Sequence, residues 1–176
     1  MLRLITLLVA PAVIAAAIAG VALGGSQSDL AATRNATAGY HNLQVAIDDG
    51  YSVELPDVFG ETCIANLSDP GAGAMGVHIV SLDRVGNPAL DPTDPEALVY
   101  ERRNNGTLKL VALEYVVFAS AVTSVPKMFG VPFDFNDGSR YGLPPFYALH
   151  AWIWKPNPSE PAGIFNAWNP RVRCDS

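Results

Sequence analysis

The run Leu108-Lys-Leu-Val-Ala-Leu-Glu-Tyr-Val-Val-Phe118 leaves this chain few options. β-Branched, aromatic and leucine residues dominate it, which suits a strand. Side chains along a strand alternate between two faces. Leu108, Leu110, Ala112, Glu114, Val116 and Phe118 therefore share one face, and Val111, Leu113, Tyr115 and Val117 the other. Both faces are apolar, so this is a central strand of a sheet covered on both sides. Glu114 stands out in the middle of it. A buried carboxylate must be protonated, paired or bound to a metal.

Other segments supply partners for such a strand. Tyr147–Lys155 is aromatic and branched, and prolines bound it at Pro144, Pro145, Pro156 and Pro158. As a strand it places His150 on one face with Ala148, Trp152 and Trp154. Val77–Leu82 places His78 with Val80 and Leu82. Ala97–Glu101 is a shorter strand, and Asn104-Asn105-Gly106 is a hairpin-turn signal before the long one. Upstream, residues 29–49 predict a helix, with Ser28 or Asp29 at its start, Gly50 at its end, and Ala36, Tyr40, Leu43 and Ile47 on one face. Long Pro- and Gly-rich stretches at residues 51–76 and 119–146 predict ordered loops. One helix followed by antiparallel strands gives an α+β class: an N-terminal helix packed on a curled antiparallel sheet, a cone or half-barrel with a pocket at its mouth.

The chain opens with Arg3 and then runs apolar to about Leu23, with small residues from Ala22 to Ser26. This is the pattern of a secretory signal peptide, here residues 1–25, ahead of a single domain at residues 26–176. An uncleaved anchor is the alternative, since about 20 apolar residues can just span a bilayer. The expected location is outside the cell, or on the cell envelope if the leader stays. No stable membrane partner is expected after cleavage.

The net charge is −6, and one unit more negative without Arg3. No basic cluster exceeds Arg102-Arg103, which disfavours a nucleic-acid partner and an anionic membrane surface. Cys63 and Cys174 are the two cysteines. In an exported chain such a pair reads first as a disulfide. Asn35, Asn66 and Asn105 begin glycosylation sequons, which matter only in a eukaryotic source.

No G-x-S-x-G elbow or Walker loop is present. Asp48, Asp49, Glu54 and Asp57 read as a solvated surface. The candidate chemistry lies with the three histidines and Glu114. His78, Glu114 and His150 converge on one cavity if their strands are neighbours, and His41 at the helix edge can complete the set. Tyr115 and Trp152 are candidates for the pocket wall. Imidazole and carboxylate together suit one transition-metal ion: iron, copper or zinc. The functional expectation is a secreted metal-binding protein, a metal-dependent oxidoreductase acting on a small molecule. The alternative is a non-catalytic extracellular ligand-binding or interaction module whose buried histidines are structural. In that case Glu114 pairs with Arg140, Arg102 or a histidine.

Several blocks also stand out together: Tyr40-His41, Gly73-Ala-Met-Gly-Val-His78, Pro95-Glu-Ala-Leu-Val-Tyr-Glu101, Leu110-Val-Ala-Leu-Glu-Tyr115, Leu149-His-Ala-Trp-Ile-Trp154, Asn157-Pro158, and the tail from Gly163 to Cys174. With them the chain resembles an uncharacterised family of secreted, mostly bacterial proteins. The resemblance implies a shared fold and export. It implies no reaction.

Overall fold

The computed structural model describes residues 19–160 and 163–174. The expected leader lies outside them as far as residue 18. Helix α1 spans Ala19–Thr37. A 3₁₀ turn follows at Ala38–His41, and a short helix α2 at Leu43–Asp48. The expected helix over 29–49 is thus two pieces. The break has a local cause. Asn42 takes an extended conformation and its side chain accepts a hydrogen bond from the Gln44 amide, the usual use of Asn at a helix start. The buried stripe shifts accordingly. It consists of Leu30, Thr33, Thr37 and Ala46, while Ala36 and Ile47 are exposed. The two threonines tolerate burial because their hydroxyls reach helix carbonyls four residues back, at 2.8 Å each.

The helices cover one face of an open sheet, and its pairings are all antiparallel. Its centre is four strands in spatial sequence: β3 (Ala74–Val80), β4 (Ala97–Arg102), β5 (Leu108–Phe118) and β9 (Phe146–Ala151). Two short strands, β1 (Val53–Glu54) and β2 (Cys63–Ala65), share the outer edge of β3, and β8 (Asp134–Asn136) borders β9. A small separate hairpin joins β6 (Lys127–Met128) to β7 (Val131–Pro132). The class is α+β, and the sheet does not close into a barrel. The expected hairpin turn at Asn104–Gly106 links β4 to β5, and β5 has the bounds read from its sequence.

One irregularity changes the side-chain pattern. Val99 pairs with Ala112 but Tyr100 pairs with Leu110, so Val111 is an extra, bulged residue. Leu110 therefore joins Leu113 and Tyr115 under the helices rather than Ala112 and Glu114. Strand β9 is also shorter than the expected 147–155 run. It ends at Ala151, where the Trp152 amide turns to the Ile164 carbonyl of the C-terminal tail, 2.9 Å away.

Each face of the sheet has its own core. The helix side packs Tyr51, Leu98, Tyr100, Leu113, Tyr115 and Phe129. On the opposite side, at the bulge end, the tail packs Trp152 and Val172 onto Ala74, Val99, Val111 and Ala112. A disulfide joins Cys63 to Cys174, with Cα atoms 5.5 Å apart, and holds that tail against β2. Among the described residues no helix is long and apolar enough to cross a membrane.

Candidate metal centre

The sheet face away from the helices carries the candidate site, and register explains its position. Val80, Ala97, Glu114 and His150 are successive partners across β3, β4, β5 and β9. Glu114 and His150 are thus direct cross-strand neighbours. His78 lies two residues before Val80 on the same face, one strand further from Glu114. On β4, Ala97 stands in that row and Val99 directly opposite His78, and the longer side chains of His78 and Glu114 reach each other across that strand.

They do meet. His78 Nε2 lies 3.4 Å from His150 Nε2 and 3.4 Å from Glu114 Oε2. His150 Nε2 lies 3.8 Å from the other carboxylate oxygen. One ligand atom from each of the three residues falls within 4.8 Å of the other two. Donors held at about 2.1 Å by one tetrahedral ion stand about 3.4 Å apart, so this buried cluster could hold a metal ion. The two imidazoles are nearly perpendicular, 87° between planes.

Burial dominates the electrostatics. The side chains of His78, His150 and Glu114 are only 4%, 3% and 12% exposed. Loss of water lowers the His78 pKa to about 4, partly offset by a hydrogen bond with the Gly76 backbone. His150 is pushed well below the usual histidine range by burial and then by His78. Glu114 is raised to about 8 by burial and then by repulsion between its carboxylate form and that of Glu96. Without an ion the trio is therefore neutral at pH 7, with the proton on the carboxyl. Neutral imidazoles are the form that ligates metals. Since Nε2 of His78 faces the cluster, its other nitrogen is left for Gly76, the kind of outer contact that fixes a ligating ring.

The remaining sequence candidates lie elsewhere. His41 is exposed on the helix side, its ring edge-on to Trp154 with centroids 4.4 Å apart. Tyr115 follows Glu114 directly and so points through the sheet to the helix side, where its hydroxyl donates to the Pro92 carbonyl at 2.6 Å. Trp152 does not border the cavity either. It stacks on His150 at 6.1 Å and donates its indole N–H to the Asn166 carbonyl. Neither arginine considered for Glu114 reaches it: Arg140 pairs with Asp57, and Arg102 with Glu54.

A cavity of about 280 Å³ opens beside the trio. Val80, Ala97, Val116, Phe118 and Phe146 form its floor, and Leu55, Val85 and Leu143 its sides. Its polar lining residues are His78, Glu114 and Tyr141. Tyr141 is held in place by a turn that needs two left-handed glycines, Gly138 and Gly142. At Gly138 a Cβ would stand 2.1 Å from the Leu143 carbonyl oxygen. That turn is anchored to the 51–62 loop by the Val58 amide on the Arg140 carbonyl and by the Arg140–Asp57 ion pair.

Two polar residues here escaped the sequence reading. Tyr141 sits in a segment without periodicity, and only the flanking glycines hint at a fixed turn. Glu96 is buried at the start of β4, where its carboxylate accepts the Val116 amide at 3.0 Å. It lies inside the Pro95–Glu101 block, but nothing local distinguishes it from a surface acid.

Comparison with protein-family models, with curated proteins and with solved structures found no match.

Proposed function

We propose that this chain is an exported metal-binding protein that holds one transition-metal ion between His78, Glu114 and His150. The supporting observation is the convergence of two imidazole nitrogens and a carboxylate, from three separate strands, on one buried point. Export rests on the leader-like N-terminus and the Cys63–Cys174 disulfide. Two histidines and a carboxylate suit iron(II) or zinc, and leave coordination positions open to a substrate. A small molecule would reach such an ion from the cavity, because His78 and Glu114 line it. This is the arrangement a metal-dependent oxidoreductase acting on a small molecule needs. The bound ion supplies Lewis acidity or redox capacity. The chain supplies a dry cavity and two ligands kept neutral by burial.

Elemental analysis of protein purified without chelators tests this. About one ion per chain is expected, with loss in His150→Ala and in Glu114→Gln. Folded protein that neither carries nor takes up zinc, iron(II) or copper(II) in a titration removes the reading.

The neutrality of the trio supports a second reading. A protonated Glu114 can donate to an imidazole, so the cavity needs no ion to avoid a buried charge. The protein is then an extracellular ligand-binding module, and the same titration separates the two.

A further inference from the structure

The cavity has a chemical character of its own. Its lining is hydrocarbon apart from His78, Glu114 and Tyr141, and Tyr141 is close enough to Glu114 to feel its charge. Among the described residues no lysine or arginine lines it, so none of them neutralises an anion there. A divalent ion changes that balance. With one carboxylate and two neutral imidazoles it keeps a single positive charge, and a charge with little access to water calls for an opposite one. Among the described residues the Tyr141 hydroxyl has only a weak partner, the Met75 sulfur at 3.8 Å, which leaves it able to donate to a ligand. It remains protonated, its pKa raised to about 12 by burial and then by Glu114. Leu82, 65% exposed, also lines it, so the cavity reaches solvent there.

The volume sets the size. About 280 Å³ is the space of about nine liquid waters at about 30 Å³ each, close to that of a small carboxylic acid of about eight carbons. We propose that the cavity takes a monoanionic amphiphile, a carboxylate on a hydrocarbon arm of about eight carbons, with its head on the metal and the Tyr141 hydroxyl and its arm along Val116, Phe118 and Phe146. This rests on the metal reading above and names the ligand class of that site. Shape and charge act together: the ion selects an anionic head, and the walls select a hydrocarbon body.

Calorimetric titration of the zinc-loaded, full-length protein tests it, with octanoate, acetate and octan-1-ol as probes. Octanoate is expected to bind at least about a hundredfold more tightly than acetate, because the walls bury its methylenes. It is expected to bind at least about tenfold more tightly than octanol, because only octanoate carries the compensating charge. Tyr141→Phe is expected to weaken octanoate about tenfold at unchanged zinc content. Val85→Trp and Leu143→Trp, which fill the sides of the cavity, are expected to abolish octanoate binding and keep the zinc. Loaded protein that binds octanoate no better than acetate overturns the inference and leaves the metal site standing. So does octanoate binding of equal strength with and without zinc. Protein that takes up no zinc overturns both readings, and the metal content shows which case applies.

Discussion

Glu114 and His150 face each other directly across β5 and β9, and both project from the sheet face that the helices leave open. Such pairs have Cβ atoms about 5 Å apart, so the carboxylate and the imidazole cannot avoid one another. His78 joins them from β3, across β4, where Val99 is its direct partner. The trio is therefore a product of strand order and register. Several measurable consequences come from its burial and its neighbours.

Metal removal should lower stability. An ion that binds only the folded chain adds about 2.7 kcal/mol when free ion is a hundredfold above its dissociation constant. Thermal melts with zinc and with chelator should differ accordingly in the wild type. In His150→Ala the difference should vanish. A mutant that keeps the full shift would place the ion somewhere else.

Metal binding should release about one proton at pH 7, and the proton should come from Glu114. Its pKa is raised to about 8, so it is protonated below that value. His78, lowered to about 4, and His150 are already neutral and release none. Apparent affinity should therefore rise about tenfold per pH unit between about pH 5 and 8, then level off. Calorimetry in buffers of different ionisation enthalpy counts the proton. A count near zero or near two contradicts the assignment.

Glu96 should make stability fall with alkalinity. Burial raises its folded-state pKa to about 8 from 4.5. Between those values the folded chain keeps a proton that the unfolded chain has released. The stability this contributes is fully present below about pH 4.5 and is lost as pH rises through about 8. Glu96→Gln keeps an acceptor for the Val116 amide and removes the titration. Urea midpoints from about pH 6.5 to 8.5 should decline less steeply in the variant. Parallel declines would show that Glu96 does not titrate there.

Gly76→Ala should damage both the fold and the site. Gly76 has φ +109°, and a Cβ there would stand 2.6 Å from the Tyr100 carbonyl oxygen on β4. Forcing a side chain into such a backbone costs about 1–3 kcal/mol, and relief by shifting β3 moves His78. Lower denaturant midpoints and lost metal binding are expected together. A variant as stable as wild type would refute the strain.

Reduction of the disulfide should loosen the C-terminal tail. Cys63 and Cys174 are 111 residues apart, so in the chain-entropy model their bond contributes about 4–5 kcal/mol. Cys63→Ser with Cys174→Ser should lower the unfolding free energy by that order, measured in urea. A change below about 1 kcal/mol would mean the packing of Trp152 and Val172 holds the tail alone.

The local elements were legible because their information is local. Alternation and turn residues marked β4, the turn at Asn104–Gly106 and the full extent of β5. Apolar neighbours marked His78, Glu114 and His150 as side chains that had left water. Two cysteines in a chain read as exported anticipated the disulfide. What the sequence could not contain was the relation between segments. No local pattern says that β9 pairs with β5 rather than with an edge, or in which register, and a shift of one residue would have turned His150 to the helix side. The bulge at Val111 moved Leu110 across the sheet, and the early end of β9 carried Trp152 into the tail's core. His41 stayed apart because the helices pack on the sheet face opposite the trio, a relation that only the tertiary structure sets. Tyr141 reached the cavity through two glycines and an anchored loop, with no periodicity to announce it. Composition and alternation decided which side chains had to be buried. Strand order, register and one bulge decided which of them would touch, because contact depends on positions that no stretch of sequence specifies by itself.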